Sequence, residues 1–382
     1  MSWRSTDVFI VGGGPAGLAA AIALREKGLR VTLADAALPP IDKACGEGLM
    51  PDSLHALSLL GVNLDPREGA VFHGIKFIGD GNSVSADFPK GPGLGLRRLA
   101  LHTAMTQHAT GLGVEFLWGT PVRGLVAGGV LLGDCAVECN WIIGADGQNS
   151  RVRKWAGLGR AHERERRFAL RRHFSVRPWS RYVETYWSDR GQACVSGVSE
   201  REICVALISR SRWSSFQGGL SYFPELAARI GASAAASTVR GALSVTCRLR
   251  RVFKGNVALV GEASGSVDAI TGDGMGIAFK QALVLADAIS RKDLAIYQRE
   301  HAAIARRPSF MGRAMLLMDK SSWLRRRALT AFAVRPSLFE RLLSFHVGES
   351  GAEGFFALGW QMLINNNFAQ KSESACPKLL GH

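Results

Sequence analysis

Six consecutive residues near the start of the chain, Gly12-Gly13-Gly14-Pro15-Ala16-Gly17, set glycines at the positions of a G-x-G-x-x-G loop. Each of those glycines removes a different obstacle. Gly12 permits a tight turn, Gly14 lets the backbone approach a pyrophosphate without a Cβ in the way, and Gly17 allows a helix to pack closely on a strand. Pro15 and Ala16 complete the loop. A helix starting there offers unpaired N–H groups and a partial positive charge to the phosphates. Asp35 closes the next apolar run, where a carboxylate can accept hydrogen bonds from ribose hydroxyls. The bland alternatives are a ligand-free glycine turn and a surface pairing of Asp35 with Lys27 or Arg30. The order strand, loop, helix, acid favours dinucleotide binding.

Two later segments carry related chemistry. One is WIIGADGQNSRVR from Trp141 to Arg153, an apolar run that breaks into Gly144-Ala145-Asp146-Gly147. The other is NVALVGEASGSVDAITGDGMG from Asn256 to Gly276. The three motifs, in this order, resemble those of the flavoprotein family that holds the para-hydroxybenzoate hydroxylases and the geranylgeranyl reductases. The likeness runs over roughly residues 5 to 300.

The resemblance implies FAD as the cofactor, with NADPH or NADH as a transient electron donor. It also implies roles for particular residues. Asp146 and Gly147 would support the middle of the cofactor. Arg98 matches an arginine that holds the phosphates or the ribityl chain, and Arg97 is the neighbouring candidate. Gly261 and Glu262 would meet the ribityl hydroxyls, with Glu262 standing where the family usually has Asp. Gly272 and Gly274 fill the loop that cups the ring. A helix opening near Met275 would aim its N-terminus at the pyrimidine edge and stabilise an anionic reduced flavin. Asp146 and Glu262 also read as simple helix caps, and Arg97 and Arg98 as surface charge.

The stretch Lys43-Ala44-Cys45-Gly46-Glu47-Gly48 is similar to the Lys-x-Cys-Gly-Gly-Gly run of the reductases. Their Tyr-x-Trp-x-Phe-Pro signature is absent, as is the Trp-x-Trp-x-Ile-Pro of the halogenases. The resemblance therefore implies first an NAD(P)H-dependent monooxygenase that hydroxylates a hydrophobic or aromatic small molecule. Its alternatives are a reductase of isoprenoid double bonds and a non-catalytic flavin-binding redox protein. No residue declares itself a catalytic base. Cys45, His173 and Tyr186 are weak catalytic candidates, each of which also reads as a structural side chain.

These residues need elements to position them. DVFIV (Asp7 to Val11) and VTLA (Val31 to Ala34) are short apolar runs, hence buried strands, with the Ala/Leu-rich helix from Pro15 to Lys27 between them. Leu99 to Gln107 reads as helix, Val114 to Leu117 and Trp141 to Ile143 as strands, and 167–208 as β-rich. Asn256 to Val260 is again a strand, Met275 to Ser290 a helix, and the rest is helical with many arginines. The expected fold class is α/β: a Rossmann-like FAD-binding domain of the glutathione reductase type, interleaved with a β-sheet substrate domain and followed by C-terminal helices. Its divisions are 1–70, 97–165 and 250–300 for the first, 71–96 and 166–249 for the second, and 301–382 for the helices.

With 382 residues the chain exceeds the size of one core. A net charge of +15 favours anionic partners, but no nucleic-acid motif accompanies it. Its seven cysteines form no C-x-x-C pair, and no His or Cys cluster completes a zinc site around Cys135 and Cys139. A reducing, cytoplasmic compartment and no metal are expected. No apolar run reaches the roughly 18–20 residues that span a bilayer, and Phe355 to Ile364 reads as a buried or interfacial helix. The tail mixes Arg with apolar residues around Trp323-Leu324-Arg325-Arg326-Arg327 and Leu338 to Phe345. A packed helix is its plain reading, and a peripheral contact with anionic membrane the functional one.

Overall fold

Val8, Phe9 and Ile10 of strand β1 (Ser5–Val11) are wholly shielded from solvent, as a strand covered on both faces requires. The computed structural model describes residues 5–159 and 162–349. Helix α1 (Pro15–Glu26) and strand β2 (Val31–Asp35) complete the parallel unit. Five parallel strands run in the order Glu115–Trp118, β2, β1, Cys135–Gly144, Val257–Leu259. The chain order reverses beside β1, and at such a switch point the loops part and leave a crevice beyond the carboxyl ends. The Gly12–Gly17 loop, Asp35, Asp146-Gly147 and Gly261-Glu262 all follow carboxyl ends of these strands. α1 is buried almost all round because it lies between this sheet and helix Gly274–Ser290. Its run of alanines permits that close double contact.

A second sheet of eight strands is antiparallel except where Tyr182–Ser188 pairs in parallel with Gly74–Gly79. Its period-two alternation divides the side chains between two faces. Tyr186, Val195, Val205 and Leu207 pack with Phe216, Leu220 and Leu226 of two short helices on one face. Thr185, Ser196, Ala206 and Ile208 face the crevice on the other. The fold class is thus α/β, Rossmann-like, joined to a β-sheet and C-terminal helices, as the sequence leads one to expect. Two features escape a local reading. The antiparallel arm Val122–Val126 and Gly129–Leu132 folds back on Cys135–Gly144, and helix Pro51–Leu59 packs on Gly274–Ser290.

Helices Leu294–Lys320, Ser322–Val334 and Pro336–His346 close the described chain. Two parts of this Arg-rich, apolar tail are turned toward the protein itself. Leu338, Phe339, Leu343 and Phe345 are buried, and Phe339 meets Phe77 with ring centroids 4.9 Å apart. Arg325 is buried too, donating to Asp80 at 2.8 Å and Asp189 at 2.6 Å. Trp323 remains 61% exposed, with the Arg327 guanidinium over its ring. No helix among the described residues is long and apolar enough to cross a membrane. The stretch Phe355 to Ile364 and Cys376 lie outside the described residues.

Candidate functional site

The glycine loop shows its division of labour in the space around each Cα. A Cβ on Gly17 would sit 1.8 Å from the Gly12 carbonyl oxygen, so only glycine lets α1 approach the loop. Gly12 adopts φ +113 and presses against Ala145. Gly14 differs: a Cβ there would meet nothing within 4 Å. Its open side faces a cleft of about 2540 Å³, which Pro15, Ala16, Asp35, Asp146, Gly147, Gly261 and Glu262 also line.

The loop is fixed by side chains that lie far from it in the chain. Asp35 accepts from the Gly13 amide at 2.6 Å and from the Ala37 amide at 2.7 Å. His102, fully buried on helix Arg98–Gly111, places Nε2 2.9 Å from the Gly13 carbonyl, so that nitrogen carries the proton and donates. Burial pushes the His102 pKa down, which favours the uncharged ring. Its one sequence signal is a polar residue inside the apolar stripe Leu101, Met105, Ala109. Gly13 packs on Trp118.

Opposite the loop, Asp146 accepts from the Arg151 and Val152 amides at 2.7 and 3.1 Å, while its second oxygen is buried with no partner. Gly261 sits at φ +63 against Ala16, and its amide donates to Gln281. Lys43 and Glu262 form an ion pair of 2.5 Å between side chains that are each more than 40% exposed. Gly272 adopts φ +73. Gly274 and Met275 open their helix at the cleft wall, and a Cβ on Gly274 would likewise meet open space. His301 donates to or accepts from Ser264 at 2.8 Å, its pKa pushed down to about 4 by burial.

The two arginine candidates separate. Arg98 lines the cleft with a buried Nε that has no partner. Arg97 does not line it, and its guanidinium pairs with Glu202 at 3.3 Å. Of the catalytic candidates only Cys45 reaches the cleft. Tyr186 lies in the core behind the second sheet and donates to Glu184 at 2.7 Å. Its hydroxyl pKa is raised by burial, then by that carboxylate. His173 is buried with Nε2 2.6 Å from Glu47.

The residues fit FAD. The cradle at Gly14 is of the kind a diphosphate fills, the unpartnered Arg98 Nε and the amides of α1 are anion donors, and the Gly274 helix start lies further along the same cleft. The same cleft is also lined by the apolar side chains of Ile75, Phe77, Met311, Met315, Phe339 and Leu343.

Comparison with known proteins agrees with this geometry. Residues 5–302 match the family described as FAD binding domain. The chain is 28% identical over 321 residues to menaquinone reductase of Mycobacterium tuberculosis, covering 76% of this chain and 78% of that protein. It is 36% identical over 173 residues to 6-methylpretetramide 4-monooxygenase of Streptomyces rimosus, covering 40% of this chain and 41% of that one. Among solved structures, a flavoprotein/dehydrogenase from Cytophaga hutchinsonii superposes with a TM-score of 0.77 at 17% identity, covering 90% of this chain and 92% of that chain.

Proposed function

This chain belongs to the FAD-binding domain family and is an FAD-dependent oxidoreductase, and from that premise we propose an NAD(P)H-dependent monooxygenase that hydroxylates a hydrophobic, aromatic small molecule. The observation that carries this reading is a single cleft lined both by the Gly14 cradle and by a group of apolar side chains. When bound, FAD supplies the two-electron and oxygen chemistry. The residues of this chain bind, orient and exclude water. Gly12 to Gly17 and Arg98 hold the diphosphate, with Asp35 bracing the loop and free to meet the ribose. The N-terminus of Gly274–Ser290, which lines the same cleft, would favour negative charge on a flavin bound there. Phe77, Met311, Met315 and Phe339 hold an apolar substrate and keep water out. Strand Tyr182–Ser188 offers Val183 and Thr185 to the cleft and spends Tyr186 and Trp187 on the protein interior. It presents no aromatic handle of the kind the reductase signature supplies.

A second reading, reduction of an isoprenoid double bond, has its own support. The reductase relative matches this chain over about three quarters of its length, the monooxygenase over two fifths. One experiment separates the two. NADPH and NADH oxidation and oxygen uptake are followed with the purified yellow protein and phenolic or polyketide-type aromatics. Uptake stimulated by substrate, with a product one oxygen atom heavier, is expected. Anaerobic saturation of a prenyl chain, with no aromatic-stimulated oxygen uptake, would replace the first reading with the second.

A further inference from the structure

Glu47 combines three unusual properties. It is a non-glycine residue at φ +58, it is only 2% exposed, and it lines the cleft. Left-handed backbone at a long side chain costs free energy and persists only where surrounding contacts fix it. Those contacts are specific. One carboxylate oxygen accepts from His173 Nε2 at 2.6 Å. The other accepts from the backbone amide of Arg98 at 3.1 Å, the first residue of helix Arg98–Gly111. The Glu47 carbonyl accepts from the Leu96 amide at 2.9 Å. The residue before it is tied to the second sheet, where Ser196 donates to the Gly46 carbonyl at 2.6 Å.

The proton positions follow from chemistry. Arg171 Nη1 lies 3.1 Å from His173 Nδ1. Nδ1 also lies 2.8 Å from the Ser237 hydroxyl, and because a guanidinium only donates, Nδ1 is an acceptor here and Nε2 presents its N–H to Glu47. Arg171 is held in turn by Asp42. This arrangement commits Nδ1 to a cation and a hydroxyl. It also weighs against a metal, although the ligand-type atoms of Glu47, His173 and Cys204 lie within 4.8 Å of one another. Both Glu47 oxygens already accept hydrogen bonds, His173 Nε2 donates one of them, and the Arg171 guanidinium stands 4.0 Å from Glu47.

What remains is a latch. Its carboxylate joins the second sheet, through His173, to the first turn of the helix that carries Arg98. We propose that Glu47 is a positioning residue that aims Arg98 at the FAD diphosphate and thereby sets the affinity for FAD. The proposal rests on the FAD reading above. Hydrogen bonds to a charged group of this kind are worth about tenfold or more in an equilibrium constant.

The test is a double-mutant cycle on the FAD dissociation constant, measured by flavin fluorescence on the apoprotein, with melting temperatures in parallel. Glu47→Gln has one acceptor for two donors and breaks one contact. It is expected to raise the dissociation constant about tenfold or more when Arg98 is present, and less than about twofold in the Arg98→Ala background. An equal factor in both backgrounds, or none in either, overturns the proposal, because a general structural role does not depend on Arg98. Should the glutamine variant fail to fold, Glu47→Gly repeats the cycle, since glycine accepts this backbone conformation freely. Failure of the wild-type protein to bind FAD would instead defeat the underlying cofactor reading.

Discussion

Gly14 and Gly17 are the same residue three positions apart, yet their environments predict opposite phenotypes. A Cβ at Gly14 meets no protein atom within 4 Å, so Gly14→Val should melt within about 1 kcal/mol of wild type while losing most FAD binding, as its side chain fills the cradle. Gly17→Ala drives a methyl group into the Gly12 carbonyl and should cost about 1–3 kcal/mol of stability. Denaturant melts and FAD titrations of the two proteins check both halves. His102→Leu leaves the Gly13 carbonyl without its donor, which should cost about 1–3 kcal/mol, and loosen FAD. The glycines are legible in the sequence because their spacing is local. His102 is not, because its partner lies 89 residues away, and Arg97 and Arg98 are separable only once the helix start is placed.

At the scale of elements, the start of helix Gly274–Ser290 carries a titration. Asp273 precedes it, is buried, and has its pKa raised to about 6, chiefly by desolvation and against the pull of His346. A carboxyl raised in the folded state stabilises the fold when protonated. Its contribution is full below the ordinary value of 3.8 and is lost as pH rises through about 6. Asp273→Asn should therefore raise the melting temperature of the apoprotein at pH 7–8 by an amount equivalent to roughly 1–3 kcal/mol, and the gain should vanish near pH 4. A gain that is constant across that range would contradict the assignment. The β1–α1–β2 unit could be read in advance, since its apolar runs and glycine punctuation are contiguous. The pairing of Gly74–Gly79 with Tyr182–Ser188 could not, because register between distant strands is set by packing rather than by either strand alone. Loop 43–48 was similarly opaque: its chemistry depends on His173 and Ser196, which local pattern cannot bring near it.

For the whole molecule, the net charge of +15 and the exposed Trp323 point to one further property. The sequence of the tail admits both a packed helix and a basic amphipathic surface, and it cannot say which apolar face the protein itself will claim. Leu338 to Phe345 is claimed, and Trp323 with Arg326 and Arg327 is left outward. Co-sedimentation should show more protein on vesicles with anionic lipid than on zwitterionic ones, and Trp323→Ser should reduce it several-fold, as loss of one buried aromatic anchor implies. Equal partition to both vesicle types would remove membrane contact from the account.

The central claim is that the crevice beyond β1 is an FAD site. It is met most directly by titrating the purified apoprotein with FAD and following quenching of flavin fluorescence and the shift of its visible absorption. Saturation at one FAD per chain, abolished by Gly14→Val in a protein that still melts cooperatively, is the predicted result. A wild-type chain that is folded but stays colourless in excess FAD, with free-flavin fluorescence undiminished, would contradict it.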